Sequence, residues 1–163
     1  MQNTYICCFT GHRDIYRDHI ARLPELLNTL LEDLYSKGVK TFRAGGAMGF
    51  DTMAALAVLR LRDAHPDVRL ELCLPCHDQT KYWSLYNKMV YAKILRKCDD
   101  ARYASEKFTT SCMFERNRML VDGSHLCVAY YDGNGSGTGY TYSYAQKKGV
   151  KIKNLYTILE NDA

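Results

Sequence analysis

Short apolar runs rich in β-forming residues recur along this chain, and each is followed by a stretch whose apolar residues fall three and four apart. That alternation constrains the fold more than any other feature. "TYICCFTG" (4–11), "VKTFRAG" (39–45), "VRLELCLP" (68–75), "DARYAS" (100–105), "HLCVAYYDG" (125–133) and "VKIKNLYTI" (150–158) read as strands. Between them helices are predicted over 16–38, 51–65, within 78–98, over 111–124 and over 141–149, with Gly38 and Gly123 as stops. Pro24 either begins the first helix or kinks it. The strands are continuous apolar runs rather than strict alternations, the pattern of a sheet covered on both faces. A strand–helix repeat of this kind predicts a single α/β domain over 1–163, with helices on both sides of a mainly parallel, doubly wound sheet. A chain of 163 residues can bury a core without disulfides or metals.

The charge balance narrows the class of partner. Lys and Arg number 22 against 18 Asp and Glu, and the basic residues are scattered. A net charge of +4 mildly favours anionic ligands but lays no basic stripe for nucleic acid. No stretch approaches the roughly 20 apolar residues of a membrane span. "MQNTYICCFTGH" has no basic region ahead of an apolar run. The expectation is a cytoplasmic chain with no membrane partner. The seven cysteines are odd in number, which favours free buried thiols. "CLPCH" (73–77) matches the haem-attachment pattern, but that chemistry needs export. A strand end carrying one inward cysteine is the simpler reading of Cys73 and Cys76, and a redox pair is the alternative. Neither a metal nor a cofactor is expected.

Ligands of such sheets bind outside the carboxyl ends of the strands, where the strand order reverses. Three loops lie there. In "FTGHRD" (9–14), Gly11 permits a sharp exit, Arg13 can grip a phosphate and His12 can donate or accept. "GGAMG" (45–49) joins a strand to a helix, and Gly45, Gly46 and Gly49 could let backbone N–H groups approach an anion. It is neither a dinucleotide fingerprint nor a P-loop, and a plain tight turn is the alternative. Asp51 caps the following helix or accepts from a ribose hydroxyl. "DGNGSGTGYT" (132–141) is the third loop, with Gly137 and Thr138 able to cradle a phosphate.

Together, "GGAMGFDTMAA" and "ERNRMLVDGSHLCVAYYDGNGSGTGYT" resemble the SLOG superfamily of Rossmann-like nucleotide-binding proteins. That superfamily joins the DNA-processing protein A (Smf) domain to the LOG phosphoribohydrolases. "FTGHR", "GGAMGFD" and the Trp-containing loop after the third strand look most like its small stand-alone YpsA-like branch. The resemblance spans essentially the whole chain. It implies a Rossmann-like fold, a nucleotide-derived ligand, a sensing or regulatory role and a homodimer. The Arg-Lys pair of LOG enzymes falls on Arg116 and Asn117, so the arginine is kept and the lysine is not. Their Gly-Thr falls on Gly137 and Thr138, but their catalytic Glu position is Thr141, and Tyr131 replaces a proline. If the chain is an enzyme, the resemblance implies cleavage of a nucleoside monophosphate N-glycosidic bond. Arg116 and Asp51 are then the catalytic candidates, with Asp132 as a further carboxylate. Without the resemblance, Arg116 could equally be an exposed arginine paired with Glu115 or Asp122. Trp83, flanked by Tyr82 and Tyr86, is a candidate for stacking on a base, or else packs as core and rim. Single-stranded DNA binding, as in the DNA-processing branch, is the weakest of the three readings.

Overall fold

The six parallel strands run in the order β4-β3-β2-β1-β5-β6. This is a computed structural model, and it describes residues 5–162. The strands are β1 (Tyr5–Gly11), β2 (Val39–Ala44), β3 (Arg69–Leu74), β4 (Asp100–Tyr103), β5 (Leu126–Tyr130) and β6 (Lys151–Asn154). The helices are α1 (Leu23–Ser36), α2 (Phe50–Ala64), α3 (Leu85–Lys97), α4 (Cys112–Val121), α5 (Gly137–Lys147) and α6 (Leu155–Asn161), with a 3-10 turn over Arg17–His19. Thr4, the first residue of the expected first strand, lies outside the described residues.

Right-handed crossovers account for the layers. From β1 to β4 the chain steps steadily outward, so α1, α2 and α3 fall on one face. After β4 it returns to the other side of β1, which sends α4 and then α5 to the opposite face. Side chains alternate accordingly. Cys7 and Phe9 of β1 enter the larger core with Phe42, Leu70, Val128 and Tyr130. Cys8 enters the smaller one with Cys73, Cys127, Leu120 and Ala145. All seven cysteines are free. Burial pushes the Cys73 thiol up and the Cys76 thiol to about 11, so both stay protonated and the redox reading of that pair loses its thiolate.

Two expected elements are corrected. Strand β6 stops at Asn154, where a strand to 158 was expected, and α6 takes over. The Asn154 carboxamide accepts the Tyr156 N–H at 3.2 Å and so caps the helix. Leu155 and Leu159, four apart, then enter the core. Helix α5 begins at Gly137 rather than 141, because Ser136 caps it by accepting the Thr138 N–H at 3.2 Å. Pro24 lies in the first turn of α1, where its missing N–H costs nothing. Among the described residues no helix is long and apolar enough to cross a membrane.

Candidate functional site

The strand order reverses between β1 and β5. There the chain leaves β1 toward one helical layer and β5 toward the other, and a cavity of about 900 Å³ opens at their carboxyl ends. Residues 10–16, from the end of β1 and the loop after it, form one wall, and residues 132 and 134–138 after β5 form another. Helix α4 supplies Met113, Arg116, Asn117 and Leu120, a helical spacing that faces one way. Ala47 from the loop after β2 and Asp51 from the first turn of α2 reach the cavity.

The glycines of "GGAMG" sit behind that wall and hold loops together. Gly49 has φ +80°, and a Cβ there would fall on the backbone carbonyl of Arg13. A Cβ at Gly11 would fall on the Phe50 ring, and the Phe50 N–H donates to the His12 carbonyl at 3.1 Å. The loops after β1 and β2 are therefore packed backbone to backbone, and this contact sets Arg13 and His12 on the cavity. Gly46, with φ +73°, turns toward Leu74 and away from the cavity. A Cβ at Gly45 would lie 2.8 Å from Asp51 Oδ2 and 3.0 Å from Arg116 Nη1, so its absence makes room for both charged groups.

Those two groups are the buried charges of the site. Arg116 is 5% exposed. It donates through Nη1 to the Gly45 carbonyl and through Nε to Asn117 Oδ1 at 2.8 Å. Both partners are neutral, and among the described residues Arg116 makes no ion pair, with Glu115 and Asp122 included. Burial lowers its pKa from the usual value, with the Asp51 charge opposing. Asp51 is not the helix cap. Gly49 holds that position, and the Asp51 carboxylate instead accepts the Ala47 N–H at 3.3 Å. Burial raises the Asp51 carboxyl to about 6, against the pull of Arg116.

Across the cavity a polar tie joins the first and third loops. Asp132 accepts from Tyr16 Oη at 2.7 Å and from the Asn134 N–H at 2.8 Å. These bonds hold its carboxyl well below the usual range, while the same carboxylate pushes the Tyr16 phenol up to about 12. His12 Nε2 lies 2.9 Å from Asp132 Oδ1 and 3.1 Å from the Asp132 amide nitrogen. When protonated that nitrogen donates to the carboxylate, and when bare it accepts the amide. Beneath this tie, Tyr130 Oη accepts the Tyr16 N–H at 3.1 Å and meets His19 Nδ1 at 2.7 Å. His19, 2% exposed, reaches Glu160 on α6 through Nε2 at 2.8 Å.

Of the residues expected at the site, Gly11, His12, Arg13, Asp51, Arg116, Gly137 and Thr138 line the cavity together. Gly45, Gly46, Gly49 and Trp83 do not. Trp83 packs edge-on against Tyr91, with ring centroids 5.6 Å apart. Thr141 is fully buried and donates to the Gly137 carbonyl at 3.0 Å, four residues back in its own helix. Sequence reasoning missed Tyr16, Asn134 and Phe114 as cavity residues. The 113, 116, 117, 120 spacing was the available signal for α4, while no local pattern marks Tyr16. Among the described residues no cluster of His, Cys, Asp or Glu could hold a metal ion.

A family model described as the YspA SLOG family (YpsA) matches residues 7–162. The "Uncharacterized SPbeta prophage-derived protein YoqJ" of Bacillus subtilis (strain 168) is 33% identical over 139 residues, covering 77% of this chain and 81% of its own. The UPF0398 protein YpsA of the same organism is 25% identical over 103 residues, or 62% of this chain and 57% of its own. Among solved structures, DNA processing protein A from Streptococcus pneumoniae superposes with a TM-score of 0.66 at 15% identity, over 91% of this chain and 49% of its own. DNA processing protein A from Helicobacter pylori, described by a single-stranded DNA binding mode, gives 0.63 at 19% identity, over 91% of this chain and 63% of its own. This chain therefore spans less than two thirds of either solved neighbour, and at these identities the likeness is one of fold.

Proposed function

The chain belongs to the YspA SLOG family, and from that premise we propose that its switch-point cavity binds a nucleotide or nucleotide-derived ligand in a sensing or regulatory role. The observation that carries the reading is Arg116. A guanidinium 5% exposed, on the cavity wall and hydrogen-bonded to neutral partners, keeps a positive charge whose burial the neighbouring Asp51 carboxyl offsets only in part, beside an opening large enough for a ligand. Burying such a charge is costly, and an anionic group in the cavity adds to the partial compensation that Asp51 gives. Arg13 lines the same cavity from the loop after β1, and the amino end of α5, at Gly137 and Thr138, adds its partial positive charge. Binding is favoured over turnover because the position that carries the LOG glutamate is Thr141, whose hydroxyl is engaged inside α5.

Differential scanning fluorimetry against a nucleotide panel tests this. A ligand at a hundredfold excess over its Kd contributes about 2.7 kcal/mol, which raises the Tm of a domain this size by about 5 °C or more. The rise should shrink in Arg13→Ala and Arg116→Met, the exposed Arg13 variant guarding against misfolding of the buried one. A panel in which no nucleotide moves the Tm would overturn the reading. Release of free base from a nucleoside monophosphate, lost in Arg116→Met, would instead establish the hydrolase alternative. A second reading, single-stranded DNA binding, draws on the Helicobacter pylori neighbour. It predicts a salt-dependent shift of an oligonucleotide that free mononucleotides do not compete away.

A further inference from the structure

We infer that Phe114 is the face on which the heterocycle of a bound nucleotide stacks. The inference rests on the nucleotide reading of the cavity and names its base subsite. Two large aromatic side chains are both exposed and on the cavity wall, Tyr16 and Phe114. Tyr16 is tied down at its hydroxyl by Asp132, and its ring leans on His19 and Tyr156. Phe114 has no polar tie and leaves 44% of its surface open. Its ring is nevertheless held in place. Tyr140 meets it at a centroid distance of 4.7 Å and an angle of 67°, and Tyr140 Oη itself accepts from Arg118 Nη1 at 2.8 Å. A fixed, exposed, purely apolar ring on the cavity wall is a platform awaiting a planar partner.

Its distance from the charged end fits. Asn117 lies on the same side of α4, three residues on, about 4.5 Å along the helix axis. The Asn117 carboxamide bridges Arg116 Nε and the Gly137 carbonyl at the start of α5. The anion end is thus about one helical turn from Phe114, the span of a single sugar between phosphate and base. Met113 adds apolar surface to the same cavity. Trp83, the candidate for this role in the sequence beside its alternative of core and rim packing, lines no part of the cavity.

Isothermal titration separates the subsite from the cavity as a whole. Wild type, Phe114→Ala and Phe114→Trp are titrated with the four ribonucleoside 5′-monophosphates and with ribose 5-phosphate, which has no base. Phe114→Ala should weaken the nucleotides by roughly tenfold or more, leave ribose 5-phosphate unchanged, and be rescued by Phe114→Trp. Nucleotide affinities that survive Phe114→Ala, or ribose 5-phosphate weakening in parallel with them, would overturn the assignment. If wild type binds none of these ligands, the nucleotide reading itself falls and this subsite with it.

Discussion

Asp51 is a carboxyl held out of water with one backbone N–H and a neighbouring guanidinium for compensation. Its pKa is raised from the usual 3.8 to about 6, so the folded state binds this proton more tightly than the unfolded chain does. Between those two values stability from this group falls as pH rises, being fully present below about 4 and lost above about 6. At about 1.36 kcal/mol per pH unit, the interval bounds the effect at about 3 kcal/mol. Asp51→Asn cannot titrate, so it should gain on wild type as pH goes from 4.5 to 7. Urea unfolding of both proteins at the two pH values measures this, and a difference that stays constant refutes it. Arg116 is the other charge whose setting decides its meaning. Its place in the chain was legible, but its burial was not, because α4 is polar enough by sequence to read as an exposed helix.

At the scale of elements, the junctions between strands and helices carry most of the specificity. Gly49 holds φ +80° with the Arg13 carbonyl where a Cβ would sit, so Gly49→Ala combines backbone strain with a clash between two loops. It should destabilise by about 2 kcal/mol or more and disturb Arg13 as well. Gly135, on the exposed loop, has no atom within 4 Å of an added Cβ, and Gly135→Ala should stay within about 0.5 kcal/mol of wild type. Chemical denaturation of the pair checks the contrast. If both substitutions cost the same, the packing role given to the second loop is wrong. The strands and long helices were legible because apolar periodicity is local. The change from β6 to α6 was not, since Asn154 acts through a cap whose carboxamide also bonds the backbone of Tyr131. The early start of α5 was hidden because a glycine-rich stretch reads as loop until Ser136 is seen to cap it.

At the scale of the whole molecule, residues far apart in the chain meet on both sides of the switch point. Tyr130 Oη ends β5, meets His19 from the segment before α1, holds the Tyr16 amide, and through His19 touches Glu160 on α6. Tyr130→Phe would leave the Tyr16 N–H and His19 Nδ1 without this partner, at a cost of about 1–3 kcal/mol. Equilibrium unfolding measures that cost, and faster amide exchange at Tyr16 should accompany it. Unchanged exchange there would mean that the loop is held by other contacts. The sequence alone determined the class of fold and the three loops at the carboxyl edge, because strand and helix periods and glycine punctuation are written within a few residues of one another. Only the tertiary structure decided which loop residues face the cavity. That choice depends on crossovers that bring residues 10–16, 110–120 and 132–138 together, and on whether the space beside each glycine is filled by a neighbouring loop or left open. The sequence left "GGAMG" open between an anion cradle and a tight turn; the backbone contact of Gly49 with Arg13 makes its glycines a support of the site, while Ala47 lines the cavity.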